Sequence, residues 1–120
     1  MLASQQRPNT IEAGYILPIA FTWQTSQPIP INYTVFIQLI DINGALVAQH
    51  DGTPQGGYLP TTTWQANTPI IDRHGLALPK DLGAGDYRLI AGLYDPTTGQ
   101  RLLTTTGADI AELGIVTVLR

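Results

Sequence analysis

The chain of 120 residues is 43% hydrophobic and only 12% charged, enough apolar matter for one core and too little charge for a disordered segment. Nine acids against six bases leave a net charge of −3, Lys80 is the only lysine, and no two basic residues are adjacent; this excludes the clustered cations that nucleic-acid binding requires. Cysteine is absent, which removes disulfides, thiol catalysis and thiolate metal sites.

Met1–Thr10 is polar, lacks the apolar centre of a signal peptide, and is expected to be a flexible lead-in to a single domain spanning the chain. From Tyr15 to Trp23 the odd positions are Tyr15, Leu17, Ile19, Phe21 and Trp23, the period-two pattern of a strand with one buried face. Pro18 has no N–H for a ladder and predicts an edge or a bulge at that point. Asn32–Ile42 is rich in β-branched and aromatic residues and predicts a second strand. Asp41-Ile42-Asn43-Gly44 then reads as a type I turn closed by a glycine bulge, returning through Ala45–His50.

Asp51–Pro60 holds three glycines and two prolines and predicts a long loop, either functional or pinned by its own side chains. Trp64 lies within Thr61–Ala66, and Pro69–Leu78 reads as a strand of weaker alternation ended by Pro79. Tyr87, Leu89, Ala91 and Leu93 share one face of the next strand, and Tyr87 at its start predicts a tyrosine corner. Asp95–Gly99 predicts a turn into a returning strand over Gln100–Thr105, and Gly114–Leu119 closes the chain as a short apolar run. The best helical window, Ala108–Leu113, is too short to stand alone. The expected fold is therefore all-β: an immunoglobulin-like or fibronectin type III-like two-sheet antiparallel sandwich of seven or eight strands. Val35, Ile37 and Leu39, with Tyr87, Leu89 and Leu93, should meet Leu17, Ile19 and Phe21 across the two sheets.

Chemistry finds little purchase. The only serines are Ser4 and Ser26, with no G-x-S-x-G arrangement and no N-terminal threonine. His50 and His74 are far apart in sequence, and neither has a ligand-spaced partner. Asp41–Gly44 lacks the third oxygen ligand and the closing glutamate of a calcium loop. A calcium shell built from separate loops would draw on Asp51, Asp72 or Asp95. The expectation is no enzyme, no catalytic residue, no metal and no cofactor. Carbohydrate remains an alternative, because sugars stack on aromatic rings while amides and carboxylates take their hydroxyls. Gln49, Asp51, Tyr58 and Trp64 are the candidate binding residues, with Gln55 and Gln65 nearby. Tyr58 and Trp64 would form either an exposed platform or a plug at one end of the sandwich.

The segments Tyr33–Leu39, Asp41-x-x-Gly44, Leu46–Gly52, Tyr58-x-Pro60-Thr61, Trp64, Asp72-Arg73, Leu78-Pro79, Gly85-x-Tyr87-Arg88-Leu89 and Gly92–Asp95 together carry a resemblance. Over about Phe21 to Val118 the chain resembles the β-sandwich domain that follows the membrane-spanning part of bacterial glycosyltransferases of the protein-mannosyltransferase type. The resemblance implies an extracytoplasmic, non-catalytic domain whose partner is the membrane region of a parent glycosyltransferase. Catalytic acids of such transferases lie in the membrane region, so none is expected here. Ala66-Asn67-Thr68-Pro69 departs from the pattern, which would place a glycine and an acid there and so argues against a ligand role for this loop. An accessory or interaction domain of a cell-envelope protein is the expected function, with a carbohydrate-binding module as the alternative.

Overall fold

The computed structural model describes residues 2–103 and 107–119. Eight strands follow in chain order: β1 (Leu2–Gln6), β2 (Thr10–Glu12), β3 (Ile16–Trp23), β4 (Thr34–Ile40), β5 (Leu46–Gly52), β6 (Ile70–Ala77), β7 (Gly85–Tyr94) and β8 (Ala111–Leu119). They form a three-stranded sheet, β1-β3-β6, and a five-stranded sheet, β2-β8-β7-β4-β5. The all-β sandwich is as the alternation predicts. One pair departs from an antiparallel arrangement, since β2 runs parallel to β8.

Alternation places the core. β3 turns Leu17, Ile19, Phe21 and Trp23 inward, and across the gap lie Val35, Ile37 and Leu39 of β4 and Tyr87, Leu89 and Leu93 of β7. The Asp41 turn is built as expected: the Gly44 N–H donates to the Asp41 carbonyl at 3.0 Å, and Gly44 takes φ +83°. The Asp41 carboxylate caps the Asn43 and Ala45 amides at 2.9 and 2.8 Å. The tyrosine corner is also present, with the Tyr87 hydroxyl donating to the Gly83 carbonyl at 2.8 Å. β1 pairs with β3 only over Ala20–Trp23, so β3 is an edge on that side at Pro18, where no ladder donor is needed.

Three expectations require correction. The segment Met1–Thr10, expected as a flexible lead-in, holds β1 on the small sheet and the first residue of β2 on the large one. Leu2 and Ile11 pack against the core and anchor them. Between them the chain crosses from sheet to sheet, and Arg7 holds the crossing by donating to the Leu113 carbonyl at 2.6 Å. That carbonyl is freed by a bulge in β8, where Gly114 adopts φ +94° and a β-carbon would lie 3.1 Å from the guanidinium.

The strand expected over Gln100–Thr105 is reduced to a bridge between Tyr94 and Arg101 and a bond from the Leu102 N–H to the Leu93 carbonyl. β8 already occupies that side of β7 from Ala91 downward, leaving only its last turn free. Residues 104–106 lie outside the described segments. Lastly, the loop expected over Asp51–Pro60 is partly ordered: β5 runs on to Gly52 and a short 3-10 turn follows at Pro54–Gly57, with a second turn just beyond it at Thr61–Thr63. Buried Thr61 joins the second turn to the approach to β4, accepting from the Tyr33 N–H and donating to the Ile31 carbonyl.

Candidate functional site

β6 carries an inward row of Ile70, Asp72, His74 and Leu76, in which an acid and an imidazole interrupt an apolar face. Asp72 is fully buried, and burying a carboxylate is unfavourable unless donors surround it. Three do. Trp23 Nε1 donates to Oδ2 at 3.0 Å, the Gln55 N–H donates to Oδ1 at 2.7 Å, and His74 Nε2 lies 2.7 Å from Oδ2. The chain of contacts continues outward, because His74 Nδ1 faces His50 Nε2 at 3.0 Å.

His50 stands on β5 and His74 on β6, the terminal strands of the large and small sheets. The two edges adjoin, so the network spans one open side of the sandwich. Gly52 makes room for it: a β-carbon there would sit 3.1 Å from His50 Nε2 and 3.4 Å from the His74 ring. Burial lowers the pKa of His50, the neighbouring His74 lowers it further, and Asp51 and Asp72 act in the opposite sense. The arrangement can relay or store a proton. No hydroxyl is among the hydrogen-bond partners of either imidazole in the described residues.

The residues singled out from sequence for carbohydrate are divided between two environments and a loop. Gln49 and Asp51 share the outer face of β5, where the Gln49 amide donates to Asp51 Oδ1 at 2.8 Å. The Tyr94 hydroxyl donates to Asp51 Oδ2 at 2.7 Å, and this bond raises the Tyr94 pKa. Tyr58 is 89% exposed on the loop after the first 3-10 turn. Trp64 is 3% exposed: it stacks on Trp23 at 6.3 Å between centroids and donates Nε1–H to the Leu59 carbonyl at 2.9 Å. A paired Tyr58–Trp64 platform is thus ruled out, because the indole is spent in the core. The three acids considered for a calcium shell are engaged elsewhere, Asp72 in the buried network, Asp51 with Gln49 and Tyr94, and Asp95 in capping the Thr97 amide. Among the described residues no group of three or more potential metal ligands converges.

The outer faces of the two sheets differ. On the small sheet the register pairs Ile16 with Ala77, Pro18 with Gly75, Ala20 with Arg73 and Thr22 with Ile71. Arg73 is the single charge among those positions, and Ile16 and Ile71 are 65% and 49% exposed. On the large sheet, Gln38 pairs with Gln49, Arg88 forms an ion pair with Glu112, and the Thr117 hydroxyl donates to Asp86. Phe36 lies beneath the Arg101 guanidinium, 4.5 Å from its ring centre, and beside Tyr94, whose hydroxyl reaches Asp51 on the same face.

Sequence reading did not join His50 to His74. The parity of Ile70, Asp72, His74 and Leu76 was the available signal for a polar pair on a core face. Its partner on β5 follows only from knowing which sheet edges adjoin.

The fold and this geometry define a small all-β sandwich domain, and a solved structure agrees. The CARDB domain of the PF1109 protein from Pyrococcus furiosus, described in complex with di-metal ions, matches with a TM-score of 0.53 and 13% identity over 96% of this chain and 84% of that one. The C-terminal domain of wzt aligns at a TM-score of 0.48 with 15% identity, covering 97% of this chain and 70% of that one. No protein-family model matches the chain, and no curated protein matches it. No helix among the described residues is long and apolar enough to cross a membrane.

Proposed function

We propose that the chain is a non-catalytic accessory domain of a larger cell-envelope protein, seated against its parent through the outer face of the small sheet. The observation that carries this reading is the contrast between the two outer faces. Contiguous exposed apolar surface on a soluble domain marks an interaction site, whereas isolated apolar residues do not. Ile16, Pro18, Ala20 and Thr22 of β3 pair with Ala77, Gly75, Arg73 and Ile71 of β6, so Arg73 is the one charge among these eight positions. The resemblance to domains of protein-mannosyltransferase-type glycosyltransferases supports the membrane region of such an enzyme as the parent and the extracytoplasmic side as the location in this reading.

Hydrogen exchange on the parent protein in detergent, compared with the isolated domain, tests the reading. Amides of Ile16–Ala20 and Ile71–Ala77 should gain protection in the parent. Unchanged exchange there would refute the docking face.

A second reading keeps carbohydrate, on the strength of exposed Tyr58 and the polar Gln49–Asp51–Tyr94 group. Both tryptophans are buried, so their fluorescence is a poor reporter. Backbone amide shifts during titration with oligosaccharides are the suitable measurement, and a panel that moves neither the Tyr58 loop nor β5 would dismiss this alternative.

A further inference from the structure

We propose that the chain His50–His74–Asp72 is a proton-operated latch between β5 and β6, which admits one proton with its hydrogen bonds intact and opens on the second, releasing the Thr53–Gly57 turn.

The donor order fixes this behaviour. A carboxylate only accepts, so the contact from Asp72 Oδ2 places a hydrogen on His74 Nε2. A neutral His74 then offers Nδ1 as an acceptor, and His50 must supply the hydrogen from Nε2 across the 3.0 Å gap. Every bond points toward Asp72. One added proton goes to His50 Nδ1, and the imidazolium still donates through Nε2. A second would put hydrogens on both facing nitrogens, His50 Nε2 and His74 Nδ1, with no acceptor between them. Two cationic rings would then stand with centroids 5.1 Å apart. That arrangement cannot persist.

The surroundings are sparsely charged. Asp51 adjoins His50 on β5, and Asp72 faces it from β6 beyond His74. Arg7 and Arg73 line the shallow hollow that reaches His74. β4 presents Ile37 opposite His50, and β3 presents Ile19 opposite His74 and the Phe21 ring, 6.0 Å from that imidazole; none of these titrates. The depressed pKa of His50 agrees with a pair that resists charging.

The turn is coupled because Asp72 holds it. Gln55 has φ 50° and ψ 40°, a left-handed conformation costly for a residue with a β-carbon. Its N–H is bonded to Asp72 Oδ1, and its side-chain amide donates to the Ile71 carbonyl. Once the imidazoles part, water reaches Asp72, and the bond that keeps Gln55 in place loses its advantage.

Hydrogen exchange at the Gln55 amide, followed by NMR from pH 8 to pH 5 and corrected for intrinsic rate, tests the latch. An opening that takes up one proton should become more frequent by up to about tenfold per pH unit in the acidic range. The imidazole nitrogen shifts should report Nε2–H tautomers for both rings at pH 8. His50→Gln supplies an amide that can donate to His74 Nδ1 or flip to accept from it, so its Gln55 amide should show a flat profile. A pH-independent wild-type opening, an equal slope in His50→Gln, or another tautomer pair would each overturn the proposal. The wild-type slope and tautomers decide the matter even if the variant does not fold.

Discussion

Asp72 shows how much one buried group can determine. Its oxygens gather an indole from β3, a backbone amide from the first 3-10 turn and an imidazole from its own strand. Asp72→Ala strands all three donors, and truncating one member of a buried charged network costs about 3–5 kcal/mol. Trp23→Phe removes a single donor and should cost about 1–3 kcal/mol, so urea melts should rank the two variants in that order. Acidity acts on the same cluster with a definite sign. The folded protein lowers the His50 pKa below 6.5, so between that value and the folded one the unfolded chain binds more protons. Stability is therefore fully present above about pH 6.5 and is lost as the pH falls through the folded value. Calorimetry should find a lower Tm at pH 5.5 than at pH 7.5, with less difference in His50→Gln.

Individual strands differ in how plainly their residues announce them. β3 was legible because four inward residues alternate without interruption, and the β4–β5 hairpin because Asp41 and Gly44 each have a defined task in the turn. β1 was not legible, since Leu2-Ala3-Ser4-Gln5-Gln6 buries no residue fully and takes its order from pairing with β3. In β8 the bulge at Gly114 shifts the phase of the pattern, so the half from Ala111 was hidden. The site followed the same rule: Asp72 and His74 could be read as a polar break in one strand, whereas the contact with His50 depends on strand order. Where alternation was clear, the energetic expectation is equally clear. Leu39 and Leu89 are fully buried on paired strands, and Leu39→Ala or Leu89→Ala should each cost ~2–5 kcal/mol in a chemical melt. Arg7→Ala should be milder, about 1–3 kcal/mol, through loss of the charge-assisted bond to the bulge carbonyl.

At the scale of the whole molecule, the sandwich presents one broad side that carries several charges beside exposed Ile115 and Leu119, and one nearly uncharged broad side. The second is the face proposed above to seat on a parent protein. Ile16→Lys combined with Ile71→Lys should leave the fold within about 0.5 kcal/mol per site, as exposed positions usually do. The same pair of changes should abolish seating on the parent protein, seen as exchange at β3 and β6 that matches the isolated domain. Unaltered protection would place the contact elsewhere.

The parallel pairing of β2 with β8 gives the domain a particular response to tension. β2 follows the first strand of the chain and β8 is its last, and Thr10, Ile11 and Glu12 lie beside Thr117, Val118 and Leu119. Pulling the two ends apart slides these neighbours lengthwise, so the ladder bonds must yield together instead of peeling one after another. A tether strung through this domain would hold until that small patch sheared.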